Sequence, residues 1–65
     1  SDFMKSENQY VLLKCFCEAR KTQAYFTKCL DMNSSLEERE FILDLVKKSA
    51  ETSNKIRNFC ENMLD

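Results

Sequence analysis

Asn33-Ser34-Ser35 is the single cluster of turn-forming residues in this chain of 65 residues, which contains no glycine and no proline. Glycine and proline interrupt regular structure most strongly, so their absence favours long, continuous helices. The sequence therefore predicts an all-α fold in one domain over residues 1–65. We expect two helices that turn back on each other at residues 32–35 and form an antiparallel hairpin.

The start of each helix is predicted by a capping box, in which a serine accepts a hydrogen bond from a backbone N–H three residues later. Ser6 begins such a motif in the first helix, and Asp2 is an alternative cap. Ser34 and Ser35 each begin one in the second helix, since a glutamate follows each of them three residues later. These signals predict helices over about residues 6–31 and 36–64.

One apolar face on each predicted helix follows the spacing of three and four residues that is typical of an amphipathic helix. Folding the chain back at Asn33 brings large side chains such as Phe16 opposite small ones such as Ser49, as close packing requires. The seam resembles that of a coiled coil. The residues predicted to pack in it are Leu12, Cys15, Phe16, Ala19, Phe26, Cys29 and Leu30 on the first helix, and Ile42, Leu45, Val46, Ser49, Ser53, Ile56, Cys60 and Met63 on the second.

A second apolar stripe on each helix would stay exposed in a two-helix hairpin, because each helix buries one face only. A four-helix bundle, formed by dimerisation or with a helical partner, is the simplest arrangement that covers these stripes. The alternative is that they are single exposed apolar residues, which are common on protein surfaces. The predicted partner interface consists of Phe3, Tyr10, Leu13, Cys17 and Ala24 on the first helix and Leu36 and Leu43, in line with Ala50, on the second.

The four cysteines leave two interpretations of the chain open. In a straight hairpin no two of them come within the roughly 7 Å between Cα atoms that a disulfide needs. Reduced, packed thiols and an intracellular location, cytoplasmic or nuclear, are the first interpretation. The alternative is a secreted, disulfide-stapled helical ligand or toxin, which requires a break in the first helix near residues 18–23. Asn33-Ser34-Ser35 also matches the acceptor sequence for N-glycosylation.

The composition argues against catalysis and against several classes of ligand. The chain has no histidine, the commonest general acid–base, and no glycine for a phosphate-binding loop. Cys15 and Cys17 point to different sides of one helix and cannot converge on a metal ion. The 10 basic and 11 acidic residues give a net charge of −1, which attracts neither nucleic acid nor an anionic membrane. We expect no enzyme activity, no metal or other cofactor, and no small-molecule substrate.

The function predicted from these observations is a non-enzymatic protein–protein interaction or oligomerisation module that uses apolar stripes on a helical hairpin. A chain of 65 residues buries only about 60% of the surface that its unfolded form exposes. Domains of this size usually need disulfides, a metal ion or association for stability. The expected partner is a protein, either a second copy in a homodimer or a different helical chain.

Overall fold

The computed structural model describes residues 2–32 and 35–63, and the side chains of residues 10–32 and 35–62. It contains two α-helices, α1 (Asp2–Met32) and α2 (Leu36–Met63), which pack against each other as a hairpin. The predicted all-α hairpin is therefore confirmed. The molecule is elongated, with extents of 52 × 15 × 10 Å.

The first helix begins at Asp2, four residues before the start predicted near Ser6, so Ser6 lies inside α1. The reason is that residues 2–8 contain no glycine or proline. Each residue added to an existing helix gains a backbone hydrogen bond. A serine cap contributes only about 1 kcal/mol, which is too little to stop this extension. Asp2, the alternative cap, is the first residue of α1 and does not precede it.

The second helix is capped by Ser35, as the sequence predicts. The Ser35 Oγ accepts a hydrogen bond from the Glu38 N–H at 3.4 Å, and the Ser35 carbonyl accepts one from the Arg39 N–H at 2.9 Å. Glu37 and Glu38 lie in the first turn, where carboxylates interact favourably with the helix dipole. The alternative cap, Ser34, lies outside the described residues.

The seam between the helices consists of half-buried side chains that form one stripe on each helix. Ser53 is the one described residue that is buried, with 0% exposure, and its Oγ donates a hydrogen bond to the Ala50 carbonyl at 3.0 Å. Its small side chain therefore fills the most enclosed point of the seam with its polar group satisfied. The half-buried residues are Leu12, Phe16, Ala19, Gln23, Phe26, Cys29 and Leu30 on α1, and Ile42, Leu45, Val46, Ser49, Ala50, Ile56 and Cys60 on α2.

Three residues differ from the predicted seam. Cys15 is exposed, whereas Gln23 and Ala50 are half-buried. Gln23 lies four residues after Ala19 and three before Phe26, so it falls on the line of the stripe in spite of its polar side chain. Cys15 precedes that line by one residue, or about 100° around the helix. The side chain of Met63, which is also predicted to pack here, lies outside the described residues.

The described part of the hairpin has a seam but lacks a buried apolar core. No hydrophobic side chain among those described is buried. The accessible surface is 5312 Å² for a mass of 7.7 kDa, whereas a folded monomer of that mass exposes about 4300 Å². The radius of gyration is 15.3 Å, compared with about 11 Å for a compact domain of this length. The chain therefore exposes about 1000 Å² more than a typical monomer.

Candidate protein-interaction surfaces

The exposed apolar residues lie on two opposite faces of the hairpin. Two antiparallel helices are related by an approximate two-fold axis perpendicular to their common plane. On both helices, a residue that comes directly after a stripe residue in the sequence therefore faces one side of the hairpin. A residue that comes directly before a stripe residue faces the opposite side. Leu13 follows Leu12 and Leu43 follows Ile42, whereas Phe59 precedes Cys60.

The first face, which we call the leucine face, carries six of the seven residues of the predicted partner interface. Leu13 connects its two helices. It lines one depression with Tyr10 and Cys17 on α1, and a second one with Arg57 and Cys60 on α2. The side chain of the seventh predicted residue lies outside the described part of the chain. The leucine face comprises the exposed residues Tyr10, Leu13, Cys17, Ala24, Leu36 and Leu43, and the seventh predicted residue is Phe3.

At the end of the hairpin where α1 leads into α2, the leucine face adjoins a hydrogen bond between the two helices. Leu36 and Leu43 line a depression with Leu30 and Arg39. The Arg39 guanidinium donates a hydrogen bond to the Leu30 carbonyl. The last turn of α1 contains no basic residue. Arg39 therefore supplies, from the other helix, the cation that a helix C-terminus favours.

Two arginines lie among the apolar residues of the leucine face. Arg20 follows Leu13 by seven residues, and its guanidinium carbon lies 5.3 Å from the centre of the Phe16 ring. This distance fits a cation–π interaction. The Arg57 Nε lies 3.9 Å from the Glu61 Oε1, at a largely exposed position. The leucine face is thus apolar with two guanidinium groups, and the carboxylates of Glu18, Glu40 and Glu61 lie at its margins.

The second face, which we call the aromatic face, is the more apolar of the two. It carries five of the nine exposed large hydrophobic residues described, with exposures between 57% and 79%. A groove between the helices opens on this side and is lined by Tyr10, Val11, Lys14, Cys15, Glu18 and Ala19 on α1 and by Thr52 and Ile56 on α2. The aromatic face comprises Val11, Tyr25 and Met32 on α1, and Phe41 and Phe59 on α2.

Helical spacing places the residues of the aromatic face on the same side of each helix as the residues that line this groove. Tyr25 follows Val11 by fourteen residues, and Phe59 follows Thr52 by seven, so each pair lies on nearly the same line of its helix. Phe41 precedes Thr52 by eleven residues, which is close to three turns. The Tyr25 ring contacts the seam residue Phe26, with ring centres 6.1 Å apart and an angle of 60° between the planes.

The edges of the aromatic face carry charges of both signs on each helix. Lys14 and Glu18 line the groove from the α1 edge, and Lys48, with its partner Asp44, and Lys55 lie on the α2 edge. Glu18 Oε1 is 3.3 Å from Lys21 Nζ, and Lys48 Nζ is 3.0 Å from Asp44 Oδ2. The hydrogen bond to the Asp44 carboxylate, together with its negative charge, raises the pKa of Lys48 above the ordinary 10.5. These pairs are exposed, so they contribute little to stability and can exchange partners.

The aromatic face is not part of the predicted interface. Phe41 and Phe59 can be recognised in the sequence as residues that flank the packing stripe of α2. Val11 and Tyr25 belong to neither of the apolar stripes predicted for α1. The signal that identifies the face is positional, because all four directly precede a half-buried residue of the stripe. This signal can be used only when the packing stripe has been located at the correct residues of each helix. An error of one residue in its position rotates the inferred faces by about 100°.

The four cysteines carry free thiols, two of them exposed and two half-buried. No group of three or more His, Cys, Asp or Glu side chains in the described residues is arranged to hold a metal ion. Neither helix, as far as it is described, combines the length and the apolar character needed to cross a membrane.

Known proteins offer no guide to the function of this chain. No protein-family model, curated protein or solved structure matches it. The two apolar faces of the hairpin are therefore the features from which a function can be argued.

Proposed function

We propose that this protein is a non-enzymatic interaction or oligomerisation module whose helical hairpin binds other helical chains through its exposed apolar faces. The observation that carries the proposal is the lack of any buried hydrophobic side chain among those described. Apolar burial is the main favourable term in folding, and it must offset the conformational entropy of every ordered residue. A hairpin with this little burial gains stability when a further helical surface covers it.

The amount of exposed surface fits this function. The chain exposes about 1000 Å² beyond the expectation for a monomer of its mass. Each partner in a standard protein interface loses about 800 Å² of surface. One interface of ordinary size would therefore remove most of the excess. A four-helix bundle, made from two hairpins or from one hairpin and a helical partner, provides such an interface.

The leucine face supports a helical partner of a particular chemistry. Its apolar residues suit the apolar stripe of an amphipathic helix. The contacts of Arg20 and Arg57 within the hairpin are exposed, so both guanidinium groups can pair instead with carboxylates of a partner helix. We therefore propose an amphipathic helix with acidic residues beside its apolar stripe as the partner of this face. The residues proposed to contact it are Tyr10, Leu13, Cys17, Ala24, Leu36 and Leu43, with Phe3 as their predicted continuation.

The general proposal is tested by measuring whether folding depends on association. Sedimentation equilibrium and thermal unfolding, followed by circular dichroism, should be carried out from about 1 to 100 µM protein. We expect a dimer or larger species and a melting temperature that rises with protein concentration, because association stabilises the folded chain by mass action. A monomer that unfolds cooperatively at a concentration-independent temperature would contradict the proposal.

A further inference from the structure

We draw no further inference here: the strongest candidate, the aromatic face with the groove between α1 and α2 beside it, is an unpartnered apolar surface whose edges carry charges of both signs, and nothing in the structure shows what covers it.

Discussion

The Arg39 guanidinium in the first turn of α2 donates a hydrogen bond to the Leu30 carbonyl in the last turn of α1. This contact connects the two helices directly beside the turn. The last carbonyls of a helix have no partner within it, and a cation near them is favourable. One side chain of α2 therefore caps the C-terminus of α1.

We expect Arg39→Met to lower the free energy of unfolding by about 1 kcal/mol, because a charge-assisted cap is lost. For a domain of this size that corresponds to a fall in melting temperature of roughly 4–8 °C. Thermal unfolding at one fixed protein concentration measures it. The control Arg57→Met removes the same type of side chain from a weak contact within its own helix, and should change stability by less than about 0.5 kcal/mol. Equal losses in the two variants would argue against a capping role for Arg39.

The two serines of the predicted capping boxes should behave differently. Ser35→Ala removes the N-cap of α2 and should destabilise the chain by about 1 kcal/mol. Ser6 lies inside α1, where alanine is a better helix former than serine. We therefore expect Ser6→Ala to leave the free energy of unfolding unchanged or to raise it by a few tenths of a kcal/mol. Urea unfolding of both variants tests the contrast. A loss at position 6 as large as at position 35 would show that α1 begins at Ser6 in solution.

Capping depends on residues only three apart, which is why the Ser35–Glu38 contact could be predicted from the sequence. The same pattern at Ser6 is misleading because it competes with continued helix, and the sequence motif contains no measure of that competition. The single reversal of the chain between α1 and α2 could also be predicted, because the rest of the chain contains no comparable interruption.

The assignment of residues to faces could be predicted only in part. The leucine-face residue Leu13 follows from the spacing within α1 alone. The sequence assigns Cys15 to the seam although it lies one residue, or about 100°, from the packing line, and it excludes Gln23, whose position is on that line but whose side chain is polar. Val11 and Tyr25 belong to a face that both helices form together, so they could be recognised only when the packing stripe of each helix was assigned to the correct residues.

A set of three substitutions distinguishes the leucine face, the seam and the solvent surface. Phe16→Ala should unfold the chain, because truncating this half-buried ring costs about 2–3 kcal/mol in a domain with little stability. Leu13→Asp should keep its helix content but lose the partner of the leucine face. The control Asn58→Asp adds the same side chain at another exposed position and should change stability by less than about 0.5 kcal/mol.

Cross-linking mass spectrometry in the native cells provides the readout for the leucine face. Lys21 lines the same depression as Leu13 and is a suitable reporter. We expect cross-links from Lys21 to an acidic, amphipathic helix in the parent chain and in Asn58→Asp, and their loss in Leu13→Asp. Identical cross-links in Leu13→Asp and the parent would show that the leucine face is not the binding site.

The pair of Asp44 and Lys48 predicts a small dependence of stability on pH. The pKa of Lys48 is raised above 10.5 in the folded chain, chiefly by the hydrogen bond to Asp44. Its stabilising contribution is therefore complete below pH 10.5 and is lost as the pH rises through the higher, folded-state value. Nuclear magnetic resonance titration of the Lys48 side chain should show Asp44→Asn lowering its pKa. Glu51→Gln should lower it less, and an equal effect of the two would contradict the assignment.

The arrangement of the hairpin also determines how it responds to force. The first helix begins at Asp2 and the second ends at Met63, so both of these ends lie opposite the turn of a molecule 52 Å long. A load that pulls these ends apart acts on a single layer of seam contacts at a time, and each layer that opens passes the load to the next. The force needed to separate the helices is therefore set by the contacts of one layer and does not increase with helix length. Longer helices would increase only the distance over which the hairpin opens.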